Sequence, residues 1–132
     1  MSEENVELAR RALEALDRRD LSSWLGFCDE DLGVVPTRDW PEPGVRGAEA
    51  AFNWYVQVFD ALQPFQTADT EFIDAGADKV LLQYRLELRG RGSGAEVEWR
   101  RWCVVTMRNG KALRNEWFTD RAEALEAAGL EE

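Results

Sequence analysis

The sequence predicts an α+β domain in which helices cover one face of a curved antiparallel sheet, and three observations predict it. Helical periodicity fills the first part of the chain and strand alternation fills most of the remainder, the segregated order of an α+β rather than a doubly wound fold. Asn109-Gly110 lies between two alternating runs and is a strong two-residue hairpin signal. The chain has 132 residues, 45% of them hydrophobic, enough for one domain that buries roughly 65–70% of the surface its unfolded form exposes. No repeat, low-complexity tract or linker divides it, so residues 1–132 are expected to form one unit.

Each element has its own signal. Over residues 3–19, Val6, Ala9, Ala12, Leu13 and Leu16 recur at helical spacing, with Ser2 as N-cap and Glu3 and Glu4 in the first turn. Asp20 then caps a short helix carrying Leu21, Trp24, Leu25, Phe27 and Cys28, and 32–36 is expected as a brief strand that Pro36 ends. Residues 38–47 hold two prolines and two glycines and are expected as a loop. A third helix is predicted over about 48–62, with Ala51, Trp54, Tyr55, Val58 and Leu62 on its apolar face, Phe52 and Phe59 at its margins and Pro64 beyond its end.

Four strands come next, at about 66–74, 79–89, 96–108 and 111–119. Val80, Leu82, Tyr84, Leu86 and Leu88 alternate with more polar partners, and the glycines of 90–94 make the next turn. If Arg108 pairs with Lys111, Thr106 faces Leu113, Val104 faces Asn115, Trp102 faces Trp117 and Arg100 faces Thr119. The opposite side then collects Val97, Trp99, Arg101, Cys103, Val105 and Met107 with Ala112, Arg114, Glu116 and Phe118. Asp120 with Glu123 forms a capping-box pattern for a last helix running to Gly129.

Composition closes several mechanistic classes. Sixteen basic against 26 acidic residues give a formal charge of −10, which argues against general nucleic-acid binding because phosphate affinity rests on a basic surface. The chain has no histidine and two cysteines, Cys28 and Cys103. It therefore lacks the usual His/Cys shell of a zinc site and any Ser-His-Asp or Cys-His pair. No metal or cofactor is expected. No apolar run approaches the ~18 residues of a membrane span, and the acidic opening segment does not read as a secretory signal, so a cytoplasmic setting with reduced thiols is expected. The charge is uneven: the segments 1–31 and 120–132 are acidic, whereas 79–114 is Arg-rich, a division that suits pairing between an acidic helical rind and a basic sheet.

Several stretches carry a family likeness. They are Asp39-Trp-Pro-Glu followed by Val45-Arg-Gly47, then Glu71-Phe-Ile-Asp-Ala-Gly76, Gly90-Arg-Gly-Ser-Gly94, Asn109-Gly-Lys111, and the run from Trp117 to Leu130. With them the chain resembles, over nearly its whole length, the SnoaL-like branch of the nuclear transport factor 2-like superfamily, which includes ketosteroid isomerase, scytalone dehydratase and limonene epoxide hydrolase. The resemblance implies a cone-shaped sheet whose concave side closes around one pocket, and homodimers are common among the relatives. It does not carry an activity, because this fold hosts many chemistries. The position of the ketosteroid isomerase base falls on Pro36 or Thr37, and that of the SnoaL aspartate on Trp117 or Phe118, so neither catalytic set transfers.

By the pairing above, Arg100, Trp102, Val104, Asn115 and Trp117 share a face that the resemblance makes concave. Tyr84 is expected to join them, with Trp40, Trp54 and Tyr55 closing the mouth. Core packing is the plain alternative for each aromatic, but six tryptophans exceed what core filling needs, and a buried indole N–H wants a partner. An aromatic cavity with a few polar groups suits a small, largely apolar cyclic metabolite. Glu98, beside Arg100, and Asp39, beside Trp40, are the acid/base candidates, each with a solvated surface carboxylate as the alternative. Two functions stay open: a binder of such a metabolite, or a cofactor-independent isomerase, cyclase, dehydratase or epoxide-hydrolase-type enzyme using a pocket carboxylate. Val97, Trp99, Val105, Met107 and Phe118 on the outer face are expected to support a homodimer.

Overall fold

The helices form where their periodicity places them, and their apolar faces decide how they pack. In the computed structural model, which describes residues 2–61, 65–76, 78–89 and 96–130, the first helix α1 (Ser2–Asp17) buries Ala9, Ala12, Ala15 and Leu16. Three alanines on that face let the helix lie close to its neighbours. Asp20 caps α2 (Leu21–Phe27), its carboxylate accepting from Ser23 N at 3.2 Å and Ser23 Oγ at 2.6 Å. The buried indole of Trp24 donates to Ala48 O at 2.8 Å and so ties α2 to the start of α3 (Ala48–Ala61).

Between α2 and α3 lie β1 (Cys28–Val35) and β2 (Val45–Arg46). Cys28 opens a strand rather than closing a helix, and the end of the predicted loop pairs with β1, Gly33 opposite Arg46 and Val34 opposite Val45. Gly44 is required here: a Cβ on it would lie 1.9 Å from Val34 O. The strands β3 (Phe65–Asp74), β4 (Lys79–Arg89), β5 (Glu96–Arg108) and β6 (Lys111–Phe118) form the expected antiparallel meander, with α4 (Arg121–Ala128) after it. The sheet is curved and unclosed, in the order β2-β1-β6-β5-β4-β3, with β1 parallel to β6. Leu62, Pro64 and the 90–94 turn fall outside the described residues.

A bulge in β6 changes the assignment of faces. Asn109 and Gly110 both have left-handed φ, 53° and 74°, so the hairpin turns as predicted and Arg108 pairs with Lys111. Met107 then pairs with Ala112, but Thr106 pairs with Arg114, leaving Leu113 as the extra residue of the bulge. Every later pair slips by one: Val105 faces Asn115, Val104 faces Glu116, Cys103 faces Trp117 and Trp102 faces Phe118. The physical reason is burial. Cys103, Val105 and Met107 bury on the same side as Val80, Leu82 and Tyr84; Ala112 joins them before the bulge, and the bulge lets Asn115 and Trp117 join them beyond it.

Three predicted cavity residues are therefore corrected. Val104 lies on the opposite face, buried with Leu81 beneath Ala124, Leu125 and Ala128 of α4. Trp102 packs against the same cluster and its indole donates to Gln83 Oε1 at 3.2 Å. Arg100 is exposed on that face beside Glu98. The outer apolar patch is corrected as well: Val105 and Met107 belong to the inner core, and Phe118 packs against the α4 cluster. The side chains of Val97 and Trp99 fall outside the described set. Both cysteines are buried and free. Cys28 aligns with Ala112, which aligns with Met107, four residues from Cys103, too far apart for a disulfide.

Candidate functional site

The space between the helices and the concave face holds a cluster of rings centred on Tyr55. Its ring meets Trp54 at 5.1 Å, Trp24 at 5.9 Å, Trp117 at 6.1 Å and Phe59 at 6.3 Å between centroids. Phe59 stacks on Tyr84 at 6.3 Å, and Tyr84 meets Trp117 edge-on at the same distance. Each such pair adds about 0.5–1.5 kcal/mol beyond its burial. Residues 54, 55 and 59 come from successive turns of α3, whereas Tyr84 and Trp117 come from strands two apart, so the cluster exists only once helix and sheet have docked.

Two small cavities of about 50 Å³ each flank this cluster. The inner one is lined by α1 alanines, Trp24, Cys28, Leu82, Cys103 and Asn115; the other, at the mouth, by Pro36, Thr37, Trp40, Trp54, Val58 and Arg101. Tyr55, Phe59, Tyr84 and Trp117 line both and form the wall between them. At the mouth, Trp40 sits edge-to-face on Trp54 at 5.8 Å, held by a turn in which Trp40 N donates to Thr37 O at 3.0 Å.

The polar centre of this apolar region is a three-residue hub. The Tyr55 hydroxyl accepts from Asn115 Nδ2 at 3.0 Å and from Trp117 Nε1 at 2.8 Å. Asn115 is 7% exposed and its Oδ1 has no partner among the described residues. Burial raises the Tyr55 hydroxyl pKa well above 10, a rise the nearby Cys103 reinforces and the two donated hydrogen bonds oppose. Tyr55 is thus a neutral hydroxyl at physiological pH, able to donate and not to act as a base. Burial pushes Cys28 up to about 12 and raises Cys103 well above its ordinary value, so neither thiol is an activated nucleophile.

Of the residues singled out in the sequence, Trp40, Trp54, Tyr55, Tyr84, Asn115 and Trp117 line these two cavities, and Arg100, Trp102 and Val104 do not. Glu98 lies outside, paired with Arg100 and, at 3.7 Å, with Arg85. Asp39 is exposed in the mouth loop, accepting from Thr37 Oγ1 at 2.5 Å. It interacts electrostatically with Arg101, whose half-buried guanidinium has its pKa lowered by burial and partly restored by Asp39. Among the described residues, no Asp or Glu lines either cavity. Arg101, which the sequence reading put on the outer face, stands opposite Tyr84 on the concave side in the unbroken β4–β5 register and lines the mouth cavity in place of Arg100.

Comparison with solved structures gives the same architecture. The chain is similar to an NTF2-like protein from Burkholderia xenovorans LB400, with 22% identity and a TM-score of 0.75 over 97% of both chains. It is also similar to TerC co-crystallised with polyporic acid (22% identity, TM-score 0.69, 96% of this chain and 98% of that one). A proposed polyketide cyclase from Xanthomonas campestris pv. campestris matches at 18% identity and TM-score 0.68, with the same coverage. Likeness at these identities shows the fold. No curated protein matches the chain. The family described as SnoaL-like domain matches residues 9–115, more than three quarters of the sequence by length. With the fold and that match together, the chain belongs to the SnoaL-like domain family.

Proposed function

We propose that this protein binds a small, largely apolar ring compound in the aromatic hollow between α3 and the concave face of the sheet. The observation that carries this reading is the buried hub of Tyr55, Asn115 and Trp117. A core that served only the fold would be less costly with apolar groups there, because an unsatisfied buried acceptor such as Asn115 Oδ1 costs about 1–3 kcal/mol. A ligand hydroxyl would accept from the Tyr55 hydroxyl and donate to Asn115 Oδ1, offsetting that cost. The co-crystallisation of the similarly folded TerC with polyporic acid is a precedent for a ligand in this architecture.

The two cavities are several-fold smaller than the roughly 300–1,000 Å³ of drug-sized sites. Binding therefore has to move the wall of Phe59, Tyr84 and Trp117 or lift the Trp40 loop. Binding is favoured over catalysis because no carboxylate among the described residues lines either cavity, which leaves an isomerase, cyclase or hydrolase without its proton carrier. Native mass spectrometry of the purified protein, followed by denaturation and identification of released small molecules, tests the reading. A ring compound released from the wild type and absent from Asn115→Leu supports it. An empty wild type whose tryptophan fluorescence is unchanged by naphthol and benzoate overturns it.

Self-association is proposed on different grounds from those the sequence offered. With Val105, Met107 and Phe118 drawn into the two cores, a homodimer through this face would use its polar part, where Thr70, Glu71, Gln83, Arg85 and Arg100 line a groove of about 330 Å³. Light scattering at tens of micromolar in low and high salt reads this directly, with a charge-mediated dimer dissociating as salt rises.

A further inference from the structure

Hydrogen-bonding capacity around the mouth cavity is one-sided. The indole nitrogens of Trp40 and Trp54 are closed off from solvent and have no acceptor among the described residues. An edge-to-face ring pair offers an N–H at most the face of a ring, a weak substitute. The Tyr55 hydroxyl receives two hydrogen bonds, so its lone pairs are engaged and its hydrogen is left to give. Arg101 adds a half-buried cation to the same lining. Opposing these donors, the described lining has no carboxylate and no side-chain amide oxygen. Asp39, which faces Arg101 electrostatically, is exposed in the loop, where solvent screens it.

From this imbalance we infer that the mouth cavity selects a ring compound bearing an ionised oxygen, a carboxylate or phenolate, with the oxygen toward Arg101 and the indole N–H groups and the ring among the aromatics of the wall. This rests on the binding function proposed above and adds to it a charge and an orientation. Indole N–H groups without acceptors are best satisfied by a charged acceptor, because charge-assisted hydrogen bonds are about twice as strong as neutral ones. Against a cation the charge of Arg101 opposes the attraction of the ring faces, so the lining favours the anion.

The test is a ladder of probes matched in size: benzoate, toluene and benzylamine, titrated against the full chain by calorimetry and ligand-observed NMR. The expected result is benzoate binding at least tenfold more tightly than toluene, with benzylamine not binding. Arg101→Met should bring benzoate to within about threefold of toluene, and Arg101→Lys should keep part of the preference. Near-UV circular dichroism verifies that both variants keep the wild-type ring packing, and the wild-type ladder is decisive without them. Toluene binding as tightly as benzoate would overturn the charge selection and leave the aromatic site standing. Absence of binding by all three probes would overturn both. A benzoate preference that survives Arg101→Met would show that the cation does not select.

Discussion

Tyr55 concentrates the residue-level argument, because one oxygen serves two buried donors. Replacing it by Phe keeps the ring contacts and strands both Asn115 Nδ2 and Trp117 Nε1. At about 1–3 kcal/mol for each stranded group, Tyr55→Phe should destabilise the fold by about 2–6 kcal/mol, read from urea unfolding. Asn115→Leu removes a hydrogen bond and also removes the unpartnered Oδ1, so its cost should stay within about 1 kcal/mol of the wild type. A Tyr55→Phe protein as stable as the wild type would mean that ring packing alone holds the cluster. Both residues were named as pocket candidates, Asn115 through a pairing with Val104 that the bulge replaces, but their bond to one another was not legible, since 60 residues separate them.

At the scale of elements, the bulge at Leu113 decides which half of β6 meets the helices. Deleting Leu113 would close the bulge and leave Asn115 opposite Val105 and Trp117 opposite Cys103, because it removes the one residue that has no partner in the ladder. The expected result is that the near-UV dichroism of the tryptophan cluster and cooperative unfolding are kept; loss of both would show that the bend of the bulge, and not only the pairing it sets, holds the cluster. The mouth loop depends on Gly44 in the same way. A Cβ there would lie 1.9 Å from backbone Val34 O, so Gly44→Ala must displace the loop or the strand. Its expected cost is about 1–3 kcal/mol, with a change in the fluorescence of Trp40, which leans on Trp54 from that loop. The β1–β2 pairing escaped the sequence reading because two strand residues bounded by glycines carry no alternation.

For the whole molecule, the buried acids set the response to alkali. Cys28 has its pKa raised from 9.0 to about 12, and Cys103 and Tyr55 are raised in the same direction, so the unfolded chain gives up these protons before the folded one does. Their contribution to stability is complete below about pH 9 and is lost as pH rises through the folded values. Urea midpoints should therefore fall steadily from pH 9 upward, and a thiol reagent at pH 8 should label the cysteines only at the rate of unfolding. Rapid labelling of the folded protein, or midpoints flat to pH 11, would contradict the burial of these groups. Asp20 acts with the opposite sign, since its bonds to Ser23 lower its pKa and are lost in acid, but it is half-exposed and solvent screening keeps its effect small.

The order of helices and strands, the hairpin at Asn109-Gly110, the caps at Asp20 and Asp120 and the apolar face of α3 were all determined by the sequence, because each depends on residues within a turn or two of one another. The pairing beyond the hairpin was decided only in the tertiary structure. Alternation in β5 is ambiguous, as Cys103, Val104 and Val105 are buried on both sides, and what breaks the tie is which face the α1–α3 layer and α4 each cover. That choice brings Arg101 to the mouth, sends Trp102 and Val104 beneath α4, and joins Asn115 and Trp117 to Tyr55. The site is thus a product of docking energy summed over the whole sheet, which no local window of sequence contains.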